Sequence, residues 1–246
     1  MKFAAIADIH GNCLALEAVL ADIAALGISA VVNLGDHVSG PLEARRTADL
    51  LMAREFPSIR GDQDRRLVEL AARGPDASRR IDFQALEAQH FDWMASHPPT
   101  MVYGGDVFLC HGTPRDDAAY WLDRVTPDAI VTAAPIAAIE AEAEGIGASL
   151  ILCAHTHLPR VVRLGDGRMV VNPGSVGCPG YEYGNPVPHV VQAGTPDACY
   201  AVFQRDRAGW TVAIRHVPYD NQAMAHMALR NGLPVWASAL ATGWVR

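Results

Sequence analysis

Four short polar clusters constrain this chain more than any other feature, because each one follows an apolar run that predicts a buried strand. They are Asp8-Ile9-His10, Gly35-Asp36, Cys110-His111-Gly112 and Ala154-His155-Thr156-His157. Folding can gather their six O and N donors around one point. Six donors are more than a structural zinc site needs, and no pair of cysteines has zinc-finger spacing. The pattern therefore predicts a binuclear site in which two metals share a bridging carboxylate.

Composition indicates one large domain over residues 1–246. Half of the 246 residues are hydrophobic, so the chain can bury a sizeable core. No stretch approaches the roughly 20 consecutive apolar residues of a membrane span. The first residues are apolar only as far as Asp8, which predicts a first strand and not a secretory signal. The five cysteines are odd in number and lie mostly in apolar segments, as expected of reduced, buried thiols in a cytoplasmic protein.

Charge disfavours large nucleic acids as partners. The formal net charge is −7, and no basic run is longer than a pair such as Arg79-Arg80. Proteins that grip nucleic acid through its phosphates normally present a basic face. A small phosphorylated substrate remains compatible with an acidic protein, since bound divalent cations reverse the local potential.

Periodicity in the first quarter of the chain predicts a βαβαβ unit. Strands are expected at 3–7, 30–34 and 57–59, and helices at 14–26 and 42–54. This alternation is typical of a mainly parallel sheet whose functional loops lie at the carboxyl ends of its strands.

The rest of the chain predicts a second set of strands, largely antiparallel, among further helices. Helices are expected at 65–72, 82–96 and 127–144, and strands at 100–103, 107–110, 150–153, 160–164, 168–172, 200–204 and 210–216. The tail, about 220–246, has helical spacing of apolar residues, which packs on the sheet by default or, alternatively, on another copy of the chain. The architecture we expect is two packed sheets between helical layers.

The order of the motifs resembles that of the calcineurin-like metallophosphoesterase superfamily. Asp-x-His, Gly-Asp, a Gly-x-x-Asp motif, His and His-x-His follow one another from Asp8 to His157. The segment Asn172-Pro173-Gly174-Ser175-Val176-Gly177 also matches a structural turn of the small bacterial and archaeal branch. The resemblance implies an α/β fold: a four-layer α/β/β/α sandwich of two mixed sheets flanked by helices.

The same resemblance implies the ligand set. One metal is assigned to Asp8, His10 and His157, the second to Asp62, His111 and His155, and Asp36 bridges the two. The catalytic set is Asp36, His111 and Asp62. Mixed N and O ligation rich in histidine suits Mn, Fe, Zn, Ni or Co better than Ca or Mg.

The third motif departs from the family pattern. Gly61-Asp62-Gln63-Asp64 stands where Gly-Asn-His-Asp or Gly-Asn-Cys-Asp is usual. Asp62 still supplies an oxygen but adds negative charge, and Gln63 can donate a hydrogen bond without transferring a proton at neutral pH. We expect Asp64 to orient a ligand histidine from outside the site.

Other polar and aromatic residues near the motifs have two possible roles each. His37, beside Asp36, is a candidate substitute acid or points away from the site. Arg60 either reaches the phosphate or is solvated or ion-paired with Glu69 and its neighbours. Tyr181 and Tyr183, in an aromatic-rich segment, either border the cleft or cover an edge of the core.

The predicted function is hydrolysis of a phosphate ester, a small phosphodiester or phosphomonoester, by a metal-bridging hydroxide. The missing histidine of the third motif favours diesters. The alternative is a catalytically weak or inactive scaffold that binds metal, since a member of the same fold in the retromer complex acts through protein contacts. Retention of all six motif donors favours the enzyme, and the lack of basic runs disfavours a nuclease.

Overall fold

The computed structural model describes all 246 residues and contains thirteen strands and eight helices. The first hundred residues form β1 (Lys2–Ile6), α1 (Cys13–Ala25), β2 (Val31–Asn33), α2 (Ala44–Met52), α3 (Asp62–Ala71), α4 (Ile81–Ala85) and α5 (Ala88–Ser96). The middle forms β3 (Met101–Tyr103), β4 (Val107–Leu109), β5 (Asp123–Val125), β6 (Val131–Ala133), α6 (Ile136–Glu142), β7 (Leu150–Leu152), β8 (Arg160–Arg163) and β9 (Met169–Asn172). The remainder forms β10 (Gly180–Tyr183), β11 (His189–Gln192), β12 (Ala198–Asp206), β13 (Gly209–Val217), α7 (Asn221–Arg230) and α8 (Pro234–Thr242).

Two mixed sheets form the centre of the fold. The first has the order β13-β12-β1-β2, and within it only β1 and β2 are parallel. The second has the order β3-β4-β7-β9-β8, with a parallel middle of β4, β7 and β9. Parallel pairing of strands thus involves the strands before the polar clusters and β9, and the predicted strand 57–59 adds only a single parallel bridge between Ser58 and Asn33. The sheets are therefore less parallel than the βαβαβ pattern predicts.

Alternation along the strands divides the core into layers. Phe3 and Ala5 of β1 pack against Leu109 and Leu152 of the second sheet, whereas Ile6 faces helix α1 on the other side. On the far side of the second sheet, Ile151 and Val170 pack against Ile139 of α6. These contacts give the α/β/β/α sandwich that the sequence predicts.

Several predicted elements are wrong or shifted. The predicted helix 127–144 is instead the turn and second strand of the hairpin β5–β6, followed by the short α6. Ala129 turns the chain at φ 63°, and Pro135 cannot continue a helix from before it. The helix 82–96 is broken into α4 and α5, with Leu86 and Glu87 in extended conformations. The hairpin β10–β11 was not predicted; it carries the aromatic segment.

Helices α7 and α8 lie in the tail. They pack against each other, and Met224 and Leu240 form a small core with Leu42. Leu14 of α1 borders this core. No helix of the fold combines the length and the apolar character that crossing a bilayer requires.

Candidate metal centre

The two sheets bring the polar clusters together at one edge. Asp8 and Asp36 follow β1 and β2, which are parallel neighbours in the first sheet. His111 and His155 follow β4 and β7, which are parallel neighbours in the second. Asp62 is the first residue of α3, which begins three residues earlier than the sequence predicts, directly after Gly61. The convergence of the predicted residues thus follows from strand direction.

The backbone turns sharply at nearly every one of these side chains. Asp8, His10, Asp36, His155 and His157 all have positive φ, between 52° and 66°, and they make up five of the seven non-glycine residues of this kind. Left-handed backbone is unfavourable for residues with a Cβ, and it concentrates at functional sites where the surrounding structure holds it in place. Here the left-handed backbone directs side chains that lie two residues apart in the chain toward one point.

Gly61 lets helix α3 approach this edge closely. A Cβ on Gly61 would overlap the carboxylate and the amide of Asp36. With glycine there, the backbone N–H of Gln63 donates to Oδ1 of Asp36 at 2.9 Å. This leaves Oδ2 of Asp36 directed into the site.

The polar atoms form three overlapping groups with ligand spacing. They are Asp8-His10-His157, Asp62-His111-His155 and Asp8-Asp36-His111, and in each the ligand atoms lie within 4.8 Å of one another. Asp36 lies between the first two groups, since its Oδ2 is 3.6 Å from Nε2 of His10 and 3.5 Å from Nε2 of His111. That position suits a shared carboxylate.

Hydrogen bonds outside the site fix which nitrogen of each imidazole faces inward. Nδ1 of His111 lies 2.7 Å from the carbonyl of Leu34, and Nδ1 of His157 lies 2.7 Å from that of Cys178. A carbonyl oxygen only accepts, so these nitrogens carry the proton and Nε2 presents its lone pair.

The other two imidazoles are held in the same way. Nδ1 of His10 lies 3.0 Å from the carbonyl of Ser39, and Nε2 of His155 lies 3.0 Å from that of Ala118. The inward atoms are therefore Nε2 of His10 and Nδ1 of His155. Neither carbonyl partner was expected, because no sequence signal marks a residue that acts through its backbone.

The inward atoms lack partners that would satisfy them. Both carboxylate oxygens of Asp8, Oδ1 of Asp62 and Nε2 of His111 are buried without hydrogen bonds. Nε2 of His10 lies 3.2 Å from Nε2 of His157, and burial lowers the pKa of both imidazoles, so two lone pairs face each other. Buried acceptors without donors are costly. Bound cations would satisfy them, and the donor set fits divalent transition metals.

The electrostatics of the buried acids point the same way. Burial raises the pKa of Asp8 well above its usual value. Burial also opposes ionisation of Asp62, but the imidazoles of His111 and His155, 3.6 and 3.3 Å from its Oδ1, hold its pKa below the usual range. Against the effect of burial, Asp36 and the other acids raise the pKa of His111. Positive charge is therefore stabilised at the centre of the cluster.

Asp64 lies outside the cluster, and its contacts differ from the predicted role of orienting a ligand histidine. It accepts the backbone N–H groups of Asp36, His37 and Gly61, and Oδ2 lies 2.8 Å from Nδ1 of His37, so it holds the backbone of a ligand and not the imidazole of one. Burial opposes its ionisation, but the charge and hydrogen bonds of His37 and the amide hydrogen bonds lower the pKa of Asp64 to about 2.

His37 and Arg60 are not placed for the roles considered for them. The side chain of His37 is fully buried and packs against Trp93 and His97, with ring centroids 4.9 and 5.2 Å away. A group without access to the cleft cannot act as the substitute acid, so the geometry agrees with the alternative in which His37 points away from the site. Arg60 is half-buried and does not line the cavity beside the cluster, whereas Arg66 does.

A cavity of about 550 Å³ opens over the cluster. Besides ligand side chains and Gln63, its wall includes Ser39, Arg66, Arg79, Arg80, Asp82, Tyr181, Glu182, Tyr183 and Trp236. Three of these come from the pairs Arg65-Arg66 and Arg79-Arg80, which were the only sequence signal for a basic wall. The ring centroids of Trp236 and His10 lie 5.9 Å apart. In the sequence, nothing beyond its place in a predicted helix marked Trp236 as part of the site.

The two tyrosines of the aromatic segment both border the cleft. The ring of Tyr181 packs against His157 at 4.6 Å, and its hydroxyl donates to the carbonyl of His155. The hydroxyl also meets that of Tyr120 at 2.9 Å. Tyr181 therefore supports two candidate ligand histidines, whereas the half-exposed Tyr183 leaves part of its ring open to the cavity.

The turn after β9 ties these loops together. Nδ2 of Asn172 donates to the carbonyl of Ala154 at 2.8 Å, and its Oδ1 accepts the N–H of Gly174. At Gly177 a Cβ would overlap the carbonyl of Ile9, so only glycine lets this turn lie against the first motif.

Comparison with known proteins agrees with this geometry. The profile of the calcineurin-like phosphoesterase superfamily domain matches residues 1–192. The chain is 24% identical to the uncharacterized protein MJ0912 of Methanocaldococcus jannaschii, over 95% of this chain and 94% of that one. It also resembles the crystal structure of a metallophosphoesterase from Sphaerobacter thermophilus, with 27% identity, a TM-score of 0.75 and coverage of 99% and 100% of the two chains. The hypothetical protein PH1004 of Pyrococcus horikoshii shares the fold, with 20% identity, a TM-score of 0.73 and coverage of 100% and 99%. Together with the cluster, the match over most of its length shows that the chain belongs to the calcineurin-like phosphoesterase superfamily.

Proposed function

We propose that this protein hydrolyses a small phosphate ester at a centre of two divalent transition metals. Asp8, His10 and His157 would hold one cation, Asp62, His111 and His155 the other, and Asp36 both. The observation that carries the proposal is the set of buried, unpartnered acceptors at this point, with every imidazole anchored through its outer nitrogen. Such an arrangement is unfavourable without cations and well organised with them.

Residues of the chain would position the metals and the ester. Two bound cations supply Lewis acidity to the phosphoryl oxygens and acidify water at neutral pH. Asp36, anchored through Oδ1, keeps the two groups of ligands in register. Gln63 lines the cavity, and its Nε2 donates to Oδ2 of Asp62 at 2.8 Å, so its amide orients a ligand beside the place where the ester binds.

The size and the chemistry of the cavity support a small substrate. A space of about 550 Å³ accommodates a compact ester but no folded macromolecule. No histidine stands at position 63, and His37 is buried elsewhere, so no side chain beside the cluster is an evident proton donor to a poor leaving group. We therefore propose a preference for diesters with good leaving groups over alkyl monoesters.

The test compares two chromogenic esters on protein loaded with manganese. Hydrolysis of bis(p-nitrophenyl) phosphate and p-nitrophenyl phosphate is measured for the wild type, Asp36→Asn and a control, Asp128→Asn. Asp128 is exposed and does not line the cavity. We expect turnover by the wild type and Asp128→Asn, faster for the diester, and loss of both metal and turnover in Asp36→Asn.

Other outcomes would contradict the proposal. Equal turnover by Asp36→Asn would show that a contaminant is being measured. Two metals per chain without turnover of either ester would favour the metal-bound scaffold, and fewer than two metals per chain after loading would contradict the binuclear centre itself.

A further inference from the structure

Three arginines converge on the cavity wall beside the metal centre. Arg66 comes from α3, and Arg79 and Arg80 come from the segment that leads into α4. In a chain with a net charge of −7 this concentration of guanidinium groups is unusual, and it lies next to the place where a phosphate ester would bind. Arginine is well suited to bind carboxylate and phosphate, because its planar group presents several donors.

A buried acid holds Arg80 in place. Nε and one terminal nitrogen of Arg80 donate to the two oxygens of Asp82, at 3.0 and 2.6 Å. Asp82 is 2% exposed and also accepts the backbone N–H groups of Gly40 and Phe83. This links the arginine segment to the loop that carries Ser39, the partner of His10. The guanidinium is therefore oriented before any ligand arrives.

The other two arginines keep donors available. Arg66 approaches Oδ2 of Asp62 at 3.3 Å through one terminal nitrogen, and its guanidinium has five N–H groups in all. Arg79 is exposed and forms no ion pair within the chain. A guanidinium that lines a cavity without an acid partner is free to bind an anion from solution.

The charges in the cavity favour such an anion. Among the acidic lining residues, Asp82 pairs with Arg80, Asp36 and Asp62 belong to the metal centre, and Glu182 is exposed without an ion pair. The three arginines and two divalent cations outnumber these four carboxylates in charge. With two divalent cations bound, the wall carries an excess of positive charge that a single phosphodiester does not neutralise.

We propose that Arg66, Arg79 and Arg80 form a second anion subsite, so that the preferred substrate carries a phosphate ester and a separate anionic group, either a phosphate or a carboxylate. This inference rests on the proposed function, because the ester must be held at the metal centre for the second group to reach the arginines.

The test uses phosphonates, which are not hydrolysed. Alkylphosphonates are compared by calorimetry with ω-carboxyalkylphosphonates and α,ω-bisphosphonates that have two to five methylene groups between their ends, all on manganese-loaded protein. At the best length, we expect a charged tail to bind about tenfold more tightly than the neutral one, the gain from one charge-assisted contact. The two charged series distinguish a subsite for carboxylate from one for phosphate.

Charge reversal at Arg79 tests whether the arginines of the cavity wall bind the charged tail. We expect the ratio of affinities for charged and neutral tails to fall to about one in Arg79→Glu and to stay about tenfold in Arg73→Glu, because Arg73 is exposed on the same segment but does not line the cavity. Metal analysis after each titration excludes removal of metal by the bisphosphonates.

Three outcomes would overturn the subsite. Equal affinity for charged and neutral tails at every length would contradict it, as would a ratio that Arg79→Glu leaves unchanged, while binding of the neutral alkylphosphonate would still support the metal centre. If no phosphonate binds to metal-loaded protein, the phosphoryl site of the proposed function fails, and the subsite fails with it.

Discussion

Asp64 accepts the backbone N–H of Asp36 at 2.8 Å, so a buried carboxylate in the first turn of α3 fixes the position of the residue that lies between the two ligand groups. The same oxygen accepts the N–H of Gly61, and the other accepts that of His37. One acid thus joins the loop after β2 to the start of α3.

Replacing Asp64 should therefore weaken both the fold and the metal centre. Asp64→Asn keeps one acceptor oxygen and turns a donor amide toward a backbone N–H, leaving buried groups unsatisfied. We expect a loss of about 2–3 kcal/mol in the free energy of unfolding and less bound metal per chain. Urea denaturation and elemental analysis measure the two effects, and Asp92→Asn, exposed on α5, should change stability by less than about 0.5 kcal/mol. Full metal content in Asp64→Asn would contradict the positioning role.

Close approach of α3 to the loop after β2 predicts a strict requirement at Gly61. The Cβ of Gly61→Ala would overlap the Asp36 carboxylate and displace it. We expect metal affinity to fall by about tenfold or more, as for other changes that disturb the support of a ligand. Gly147→Ala is the matched control, since nothing lies within 4 Å of its added Cβ. Unchanged metal affinity in titrations of Gly61→Ala would show that the loop yields without cost.

The amide at position 63 predicts a change in substrate preference. If the proposed function holds, Gln63→His supplies a proton donor beside the leaving group, and the monoester-to-diester ratio of kcat/KM should rise by at least about tenfold. Gln63→Leu removes the amide without adding an acid and should show no such rise. Equal ratios in the two variants, measured with esters of alkyl alcohols whose leaving oxygen must be protonated, would exclude position 63 as a site of proton transfer.

The ion pair of Asp22 predicts how stability depends on pH far from the metal centre. Arg215 donates two hydrogen bonds to Asp22 and Tyr200 a third, and the bonds from Arg215 hold the pKa of Asp22 below its usual value. The unfolded chain then binds a proton more readily, so this contribution is present above about pH 4 and is lost as the pH falls through the folded pKa.

Removing the Asp22 carboxylate tests the sign of that effect. Between pH 6 and pH 3, the wild type should lose more stability than Asp22→Asn, measured by urea denaturation at each pH. Asp76→Asn, with an exposed side chain, should follow the wild type. Parallel losses in the wild type and Asp22→Asn would contradict the prediction.

The sequence alone was sufficient for the layers and for the list of ligand candidates. Apolar runs before Asp8, Asp36, His111 and His155 became β1, β2, β4 and β7, and the seven predicted side chains meet at the shared edge. Local periodicity carried this information for the six donors of the four clusters, because strands buried on both faces are continuously apolar and their carboxyl ends coincide in a parallel arrangement. Asp62 was added only by the resemblance to the family. Periodicity was misleading over 127–144, where alanine-rich sequence suits a helix but Ala129 and Pro135 interrupt one.

Only the tertiary structure decided how those side chains are used. It set which nitrogen of each imidazole faces inward, through the carbonyls of residues such as Leu34 and Cys178, and it turned His37 away from the cleft. It also brought Arg66 and Arg80 to the same cavity wall. These relationships join residues far apart in the chain. They depend on backbone groups and left-handed turns, and such features leave no periodic or compositional pattern in the sequence. The identity of the donors was therefore local information, whereas their orientation depended on contacts that exist only in the folded protein.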